Sequence, residues 1–289
     1  MNINIYDVSK KAGVSIATVS RVLNGNTRVS EKTRDKVINA MKELDYTPNV
    51  FARGLGLNTM KTIGIMCIDS SDIYLANAVY YLEQELRKYN YDSILCCTGK
   101  DYNNKKNYLE LLLSKRVDGI ILAGSQFVEN TSKHNNDYII NAAKDVPIVL
   151  VNGYLDADNI YSVMCNDEEA VYNATKLLIN NSHRNIVYLY TSTSYSGMNK
   201  YRGYLKAINE AGITLPDEFH HLCGKNISHA RDYLTYLYDK GMKFDAVMTS
   251  DDSIAAGAVK FAHTHGIRIP EDLEVIGYNN SVLSLCTEP

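Results

Sequence analysis

Hydrophobic residues recur at helical spacing through the first 45 or so positions of the chain. Three predicted helices have capping or stop signals at their ends, which are Asn4 (with Asp7 three residues later), Gly13, Ser15, Asn24, Gly25 and Ser30. The residues predicted to face inward in the second and third helices are Ala17, Val19, Val22, Leu23, Val37, Ile38, Met41 and Leu44. Because Gly13-Val14 leaves only a tight turn between the first two helices, the pattern predicts a helix-turn-helix.

After position 61 the pattern changes to short apolar runs that alternate with amphipathic stretches. The predicted strands are Thr62–Ile68, Ser93–Cys97, Gly119–Leu122, Ile148–Val151, Ser162–Cys165, Ile186–Tyr190, Ala246–Thr249 and Glu274–Ile276. The predicted helices lie near 74–89, 103–115, 136–144, 167–180, 198–211, 228–239 and 252–265. This alternation predicts α/β architecture with parallel sheets, in two doubly wound lobes divided near residue 160.

In a helix-turn-helix, the first residues of the second helix reach base edges in the major groove of DNA. Those residues are here Ser15, Ile16, Ala17 and Thr18, with Arg21 one turn later. An arginine can donate two hydrogen bonds to a guanine, whereas Ile16 and Ala17 can make only apolar contacts. The residues better placed for phosphate contacts are Ser20, Asn24, Ser30, Thr33 and Arg34.

The distribution of charge agrees with a nucleic-acid contact at this end. Residues 1–60 hold nine Lys and Arg against five Asp and Glu, a balance of +4, while the whole chain has a net charge of −3. The remaining residues therefore carry −7. A basic end on an acidic body is typical of a nucleic-acid-binding domain joined to a separate sensor.

The segment YDVSKKAGVS-ATVSRVLNG, which begins at Tyr6, resembles the DNA-binding domain of the LacI/GalR transcription regulators. So does the segment that runs from Tyr46-Thr47-Pro48-Asn49 to Ala52-Arg53-Gly54-Leu55. The resemblance implies a helix-turn-helix domain over 1–47 and a hinge over 48–60 that becomes helical on operator DNA. It also implies a minor-groove wedge at Leu55. Further backbone or hinge contacts are implied for Tyr6, Tyr46, Asn49, Ala52 and Arg53.

The rest of the chain resembles the periplasmic-binding-protein-like body of the same family, with lobes over 61–160 and 161–289. The matching segments begin at Arg116, Ser182, Arg202 and Ile269. The resemblance places a small polar or sugar-like effector in the cleft between the lobes, against Asp72, Tyr74, Asn152, Lys200, Asp251 and Asn279. Since Asn279 stands where the family often has aspartate, and Lys200 where it often has arginine, an ordinary sugar is less expected. Compared with the family pattern, the second lobe is expected to be incomplete at Pro289, either because the chain is naturally short or because it is truncated.

The resemblance implies a homodimeric repressor that binds a palindromic operator and responds to its effector. A helix at about 74–89 is expected to pack against its twin through Val79, Leu82 and Leu86. An alternative within the family is control by a phosphorylated phosphocarrier protein, since VSIATVSRVLNGN is close to the recognition helix of the carbon-catabolite regulators. A free sugar-binding module would need an export signal and no helix-turn-helix.

Other classes of function find little support in the sequence. No GxSxG, G-x-G-x-x-G or GxxxxGK[ST] motif indicates an enzyme, and no cofactor is expected. The six cysteines have no CxxC spacing, and those at 67, 96, 97 and 165 are expected to be buried thiols. His220-His221 and His263-x-His265 lack further ligands for a metal. No apolar run is long enough to span a membrane, and no signal peptide opens the chain, so a cytoplasmic location is expected.

Overall fold

The structure is a computed structural model that describes residues 3–25, 27–47, 59–129 and 133–288. Its first three helices are α1 (Ile5–Ala12), α2 (Ile16–Leu23) and α3 (Glu31–Glu43). Their starts follow the predicted signals: Asn4 and Asp7 form a reciprocal capping box, and Ser15 and Ser30 cap α2 and α3. Gly13 ends α1 with a left-handed φ of 67°, a conformation that glycine adopts without strain.

A small apolar core joins the three helices. Its buried members are Val8, Val19, Val22, Val37 and Ala40. Two residues predicted to face inward do not, because Ala17 is exposed and 38% of Ile38 is accessible to solvent. Both lie at positions of helical spacing that point away from the narrow seam of so small a core, so the apolar stripe is thinner than the sequence indicated.

The first lobe is built on a five-stranded parallel sheet with the order β2-β1-β3-β4-β5. The strands are β1 (Thr62–Cys67), β2 (Asp92–Cys97), β3 (Gly119–Ala123), β4 (Ile148–Val151) and β5 (Ile160–Val163). The accompanying helices are α4 (Ile73–Lys88), α5 (Tyr102–Ser114) and α6 (Asp137–Ala143), with a 3-10 turn at Lys133–Asn136. Buried residues from the strands and helices form one hydrophobic core.

The second lobe has a four-stranded parallel sheet with the order β7-β6-β8-β9. The strands are β6 (Ile186–Tyr190), β7 (His220–Leu222), β8 (Ala246–Thr249) and β9 (Glu274–Ile276). The helices are α7 (Asp167–Asn180), α8 (Tyr195–Glu210), α9 (Ile227–Asp239), α10 (Asp252–His265) and the short α11 (Val282–Leu285), with a 3-10 turn at Asp217–Phe219. None of the helices in the described part of the chain is long and apolar enough to cross a membrane.

The predicted α/β alternation is confirmed, with local corrections. β5 begins at Ile160, two residues before the predicted strand, and pairs with β4. Residues 161–163 therefore belong to the sheet of the first lobe, slightly beyond the expected division near 160. The structure also adds β7, and α8 begins at Tyr195 instead of near 198.

Two glycines bring helices of the second lobe into backbone contact. A Cβ on Gly203 of α8 would lie 2.2 Å from the carbonyl oxygen of Glu168 in α7. A Cβ on Gly257 of α10 would lie 2.5 Å from the carbonyl oxygen of Ile227 in α9. Each pair of helices packs this closely only because these positions carry no side chain.

Candidate functional site

The N-terminal end of α2 presents a solvent-facing surface. Ser15, Ile16, Ala17 and Arg21 are exposed, and Thr18 is half-buried. The Ser15 hydroxyl lies 2.9 Å from the Thr18 hydroxyl and accepts a hydrogen bond from the Thr18 backbone N–H at 3.2 Å. The helix end is thus ordered by its own cap, while Ile16, Ala17 and Arg21 extend outward.

The residues predicted to contact phosphates surround this surface. Tyr6 and Ser30 are exposed, while Ser20, Asn24, Thr33, Arg34 and Tyr46 are half-buried. Tyr46 packs against the three-helix core, which gives it a structural contact as well. The predicted contacts at Asn49, Ala52, Arg53 and Leu55 lie outside the described residues.

A cavity of about 260 Å³ lies between the two lobes. All six residues predicted to hold an effector line it, and they are Asp72, Tyr74, Asn152, Lys200, Asp251 and Asn279. They come from both lobes and lie past the carboxyl ends of strands or on the helices that follow, as expected for a ligand site in parallel α/β sheets. The structure therefore brings together residues that are up to 207 positions apart in the chain.

Lys225 joins the two lobes across this cavity. Its ammonium donates to the carboxylate of Asp72 in the first lobe and lies 3.4 Å from Asp251 Oδ2 in the second. Asp72 and Asp251 each use the other oxygen to cap a helix, α4 and α10 respectively. Burial lowers the pKa of Lys225, but the two carboxylates outweigh it and the net pKa is raised. The lysine therefore keeps its charge between them.

A second polar contact between the lobes lies nearby. The hydroxyls of Ser125, after β3, and Ser194, at the start of α8, are 2.8 Å apart. Both side chains are half-buried and line the cavity. Lobe closure in this structure thus includes one ion pair and one hydroxyl contact that span the cleft.

Lys200 is held inside the second lobe. Its side chain is 8% exposed, its ammonium donates to the Ser250 carbonyl oxygen at 3.1 Å, and it lies 3.7 Å from the centre of the Tyr278 ring. The Tyr278 hydroxyl in turn donates to Asp167 Oδ1 at 2.6 Å. Burial lowers the pKa of Lys200, although Asp167 and Asp251 act in the opposite direction. The Lys200 side chain thus forms part of the cavity wall.

The two asparagines of the cavity have left-handed backbones, with φ values of 59° at Asn152 and 96° at Asn279. Asparagine tolerates this region better than most side chains. Asn152 Nδ2 donates to the Tyr74 hydroxyl at 2.6 Å, and Asn279 Nδ2 donates to Asp251 Oδ2 at 3.0 Å. An aspartate at 279 would face Asp251 as a like charge, so the amide suits this neighbour.

Sequence reasoning missed several residues of the cavity, namely Ser125, Asp167, Ser194, Lys225 and Tyr278. Lys225 follows β7, the strand that was not predicted, so no strand end pointed to it. Gly224-Lys225, a glycine and a cation directly after an apolar Leu-Cys pair, was the available signal. The lining combines carboxylates, amides, hydroxyls and ammonium groups. It suits a small polar ligand with several hydrogen-bonding groups.

Two family models match the chain. The model for bacterial regulatory proteins of the lacI family matches residues 4–49. The model for periplasmic binding proteins and the sugar-binding domain of the LacI family matches residues 60–285. Together the two matched ranges span the three-helix unit and both lobes.

Similar proteins point the same way. An HTH-type transcriptional regulator of Lachnoclostridium phytofermentans is 55% identical over 286 residues, covering 99% of this chain and 86% of its own. Catabolite control protein A of Priestia megaterium is 32% identical over 293 residues, covering 100% of this chain and 86% of its own. The Lac repressor dimer bound to operator and the anti-inducer ONPF has a TM-score of 0.86 at 23% identity, covering 99% of this chain and 85% of its own, and shows the fold.

Proposed function

Since the chain belongs to the LacI family of bacterial regulatory proteins, we propose that it acts in the cytoplasm as a homodimeric repressor. It would bind an approximately palindromic operator and respond to a small polar effector in the inter-lobe cavity. The observation that carries the DNA-binding part is the exposed N-terminal end of α2. The polar cavity between the lobes supports the effector part.

In this proposal α2 enters the major groove. Arg21 would donate two hydrogen bonds to a guanine, and Ile16 and Ala17 would contact a thymine methyl group. Ser15 and Thr18, at the helix start, would lie against base edges or the adjoining phosphate. Two copies of the chain would read two half-sites, so the operator should have approximate two-fold symmetry.

The outer face of α4 supports the dimer. Leu75 is the buried residue of this helix, whereas Val79, Leu82 and Leu86 are only half-buried. Tyr80 and Tyr81, with 56% and 65% of their surface exposed, form an edge-to-face pair on the same helix. An exposed set of large apolar side chains on one helix suits contact with a second copy.

The effector would bind between the lobes and change their closure. It can do so only if its affinity for the closed and open arrangements differs. A ligand with hydroxyl or amide groups could replace the Lys225 contacts on Asp72 and Asp251. Operator affinity would then follow lobe closure through the hinge over 48–60, where Leu55 is proposed to be the minor-groove wedge. Control by a phosphorylated phosphocarrier protein stays an alternative prediction.

The test is a selection of binding sites from randomised duplex DNA, with the wild-type chain and two variants that each remove one positive charge. Wild type should enrich a palindrome. Arg21→Ala should relax the preference at one base pair of each half-site, at a cost of about 1–3 kcal/mol in discrimination. Arg34→Ala, at a predicted phosphate contact on α3, should weaken binding to all sequences alike. If wild type enriches no palindrome, or Arg21→Ala keeps the full preference, the proposed reading by α2 is wrong.

A further inference from the structure

Two cysteines at the carboxyl ends of neighbouring strands lie within reach of each other. Cys67 ends β1 and Cys97 ends β2, and they are register partners in the parallel ladder. Their sulfur atoms are 3.6 Å apart. The ladder continues beyond them, since Thr98 N–H donates to the Cys67 carbonyl oxygen at 2.9 Å. The backbone therefore holds the two side chains side by side.

The accessibility of the two thiols differs. Cys97 lies on the edge strand of the sheet and is exposed, contrary to the expectation that it is buried. Cys67 is fully buried, and burial raises the pKa of its thiol to about 12. Cys96, one residue before Cys97, points to the opposite face of the strand by the alternation of side chains and is buried there. Solvent therefore reaches the Cys97 thiol, whereas the Cys67 thiol is shielded from it.

We propose that Cys67 and Cys97 are a reversible oxidation site, in which a hydroperoxide converts the pair into an intramolecular disulfide. Neighbouring strands are about 4.8 Å apart, which is within the range of Cα separations that disulfides span. The sulfur atoms need to approach from 3.6 Å to about 2.05 Å. Rotation of the side chains supplies this movement without a change of strand register.

The reaction takes two steps and balances with the hydroperoxide as oxidant. The Cys97 thiolate attacks the outer peroxide oxygen, the O–O bond breaks, and the sulfenic acid of Cys97 forms with release of an alkoxide or hydroxide that takes up a proton. The Cys67 sulfur then attacks the sulfenic sulfur. The S–O bond breaks, and the hydroxide leaves as water with the thiol proton of Cys67. Two thiols are oxidised by two electrons, and the peroxide is reduced to water and an alcohol, or to two waters.

The site lies beside the inter-lobe cavity. Ile68 and Asp69 follow Cys67 directly, Lys100 follows Cys97 by three residues, and all three line the cavity. The disulfide would close a loop that contains all of α4 and would tie the edge strand β2 to β1. Because the Cys97 half of the disulfide is exposed, a thiol reductant can reach it, so the modification should be reversible.

The experiment treats the purified 289-residue chain with hydrogen peroxide and measures its intact mass and free thiols. We expect a loss of 2 Da and of two of the six thiols, both restored by dithiothreitol. Trypsin should yield a cross-link between the peptides of residues 62–87 and 89–100. Fragmentation of that cross-link in the wild-type protein assigns the bond to Cys97 or Cys96, so the assignment does not depend on whether a variant folds.

Two variants serve as matched tests. Cys96→Ala removes the adjacent thiol and should keep the 2 Da loss, whereas Cys97→Ser should abolish it. The proposal is overturned by any of four results in the wild-type protein: no reaction, oxygen addition at Cys97 without a cross-link, a bond to Cys96, or disulfide-linked dimers on a non-reducing gel. A cross-link that persists in Cys97→Ser overturns it as well.

Discussion

Two fully buried tyrosine hydroxyls in the second lobe differ in their partners. The Tyr204 hydroxyl donates to the Ile186 carbonyl oxygen at 2.8 Å. The Tyr188 hydroxyl has no hydrogen-bond partner among the residues that the structure describes. Their rings stack with centroids 4.8 Å apart, so both residues belong to one apolar cluster. The same substitution at the two positions therefore isolates the effect of the hydroxyl.

We expect Tyr188→Phe to raise the free energy of unfolding by about 1–3 kcal/mol, because it removes an unsatisfied buried group. Tyr204→Phe should lower it by about 1 kcal/mol, because a satisfied hydrogen bond is lost. Urea unfolding with an unchanged m-value measures both. A loss of stability in Tyr188→Phe would mean that its hydroxyl has a partner, such as an ordered water.

Lys225 allows a prediction about lobe closure. Lys225→Gln leaves Asp72 and Asp251 as like charges on opposite sides of the cleft, so we expect a shift toward an open arrangement. A change of about 1 kcal/mol corresponds to about fivefold in the closed-to-open ratio. Small-angle scattering should show a larger radius of gyration for Lys225→Gln than for wild type, while Lys225→Arg should remain close to wild type.

The same contact should respond weakly to pH. Because the pKa of Lys225 is raised, its contribution is fully present below the ordinary lysine pKa and is lost only as the pH rises through the higher value of the folded state. Closure should thus be constant between about pH 6 and 9, and should weaken with added salt. Opening within that pH window would show that another group controls the cleft.

At the scale of elements, α2 and α3 offer a matched pair of caps. Ser15 and Ser30 each cap a helix and each lie 2.9 Å from a threonine hydroxyl three residues later. Ser15→Ala and Ser30→Ala should therefore cost similar stability, about 1 kcal/mol each. Only Ser15→Ala should also change which operator sequences are preferred, since α2 is the proposed reading helix. Thermal unfolding of residues 1–47 within the full chain and operator titrations separate the two effects.

Elements with strong local signals were predictable from the sequence. The three N-terminal helices begin at the predicted caps, because a capping side chain acts on backbone groups within its own turn. β7 was not predicted, because it has only three residues, two of them histidines, and is stabilised by pairing with β6. Its existence depends on a distant partner, which no local pattern records.

The candidate site was also predictable only in part. The six predicted cavity residues came from a resemblance to a family, and the structure places them around one cavity. The contacts between lobes, Lys225 with Asp72 and Ser125 with Ser194, join positions 153 and 69 residues apart. Such pairs are set by how the two lobes meet, and neither spacing nor residue type reveals them.

For the whole molecule, the separation of charge predicts how binding depends on salt. Residues 1–60 carry +4 and the rest −7. The basic end should lose operator affinity steeply as salt rises, with a logarithmic slope of about −0.9 for each phosphate contact. A neutral ligand in the cavity should bind with little dependence on salt. Operator titrations at several salt concentrations measure the first effect, and calorimetry with a ligand measures the second. A flat operator curve would contradict the proposed phosphate contacts.

Gly203 and Gly257 have a consequence for how the second lobe moves. Helices in backbone contact cannot slide past one another without a steric clash. The lobe should therefore move as a rigid body. A ligand that displaces a cavity residue on α8 or α10 is therefore expected to move the whole lobe. Larger side chains at these glycines would force the paired helices apart and loosen their packing. A ligand could then still bind in the cavity, while less of the helix displacement that it causes would reach the DNA-binding end of the protein.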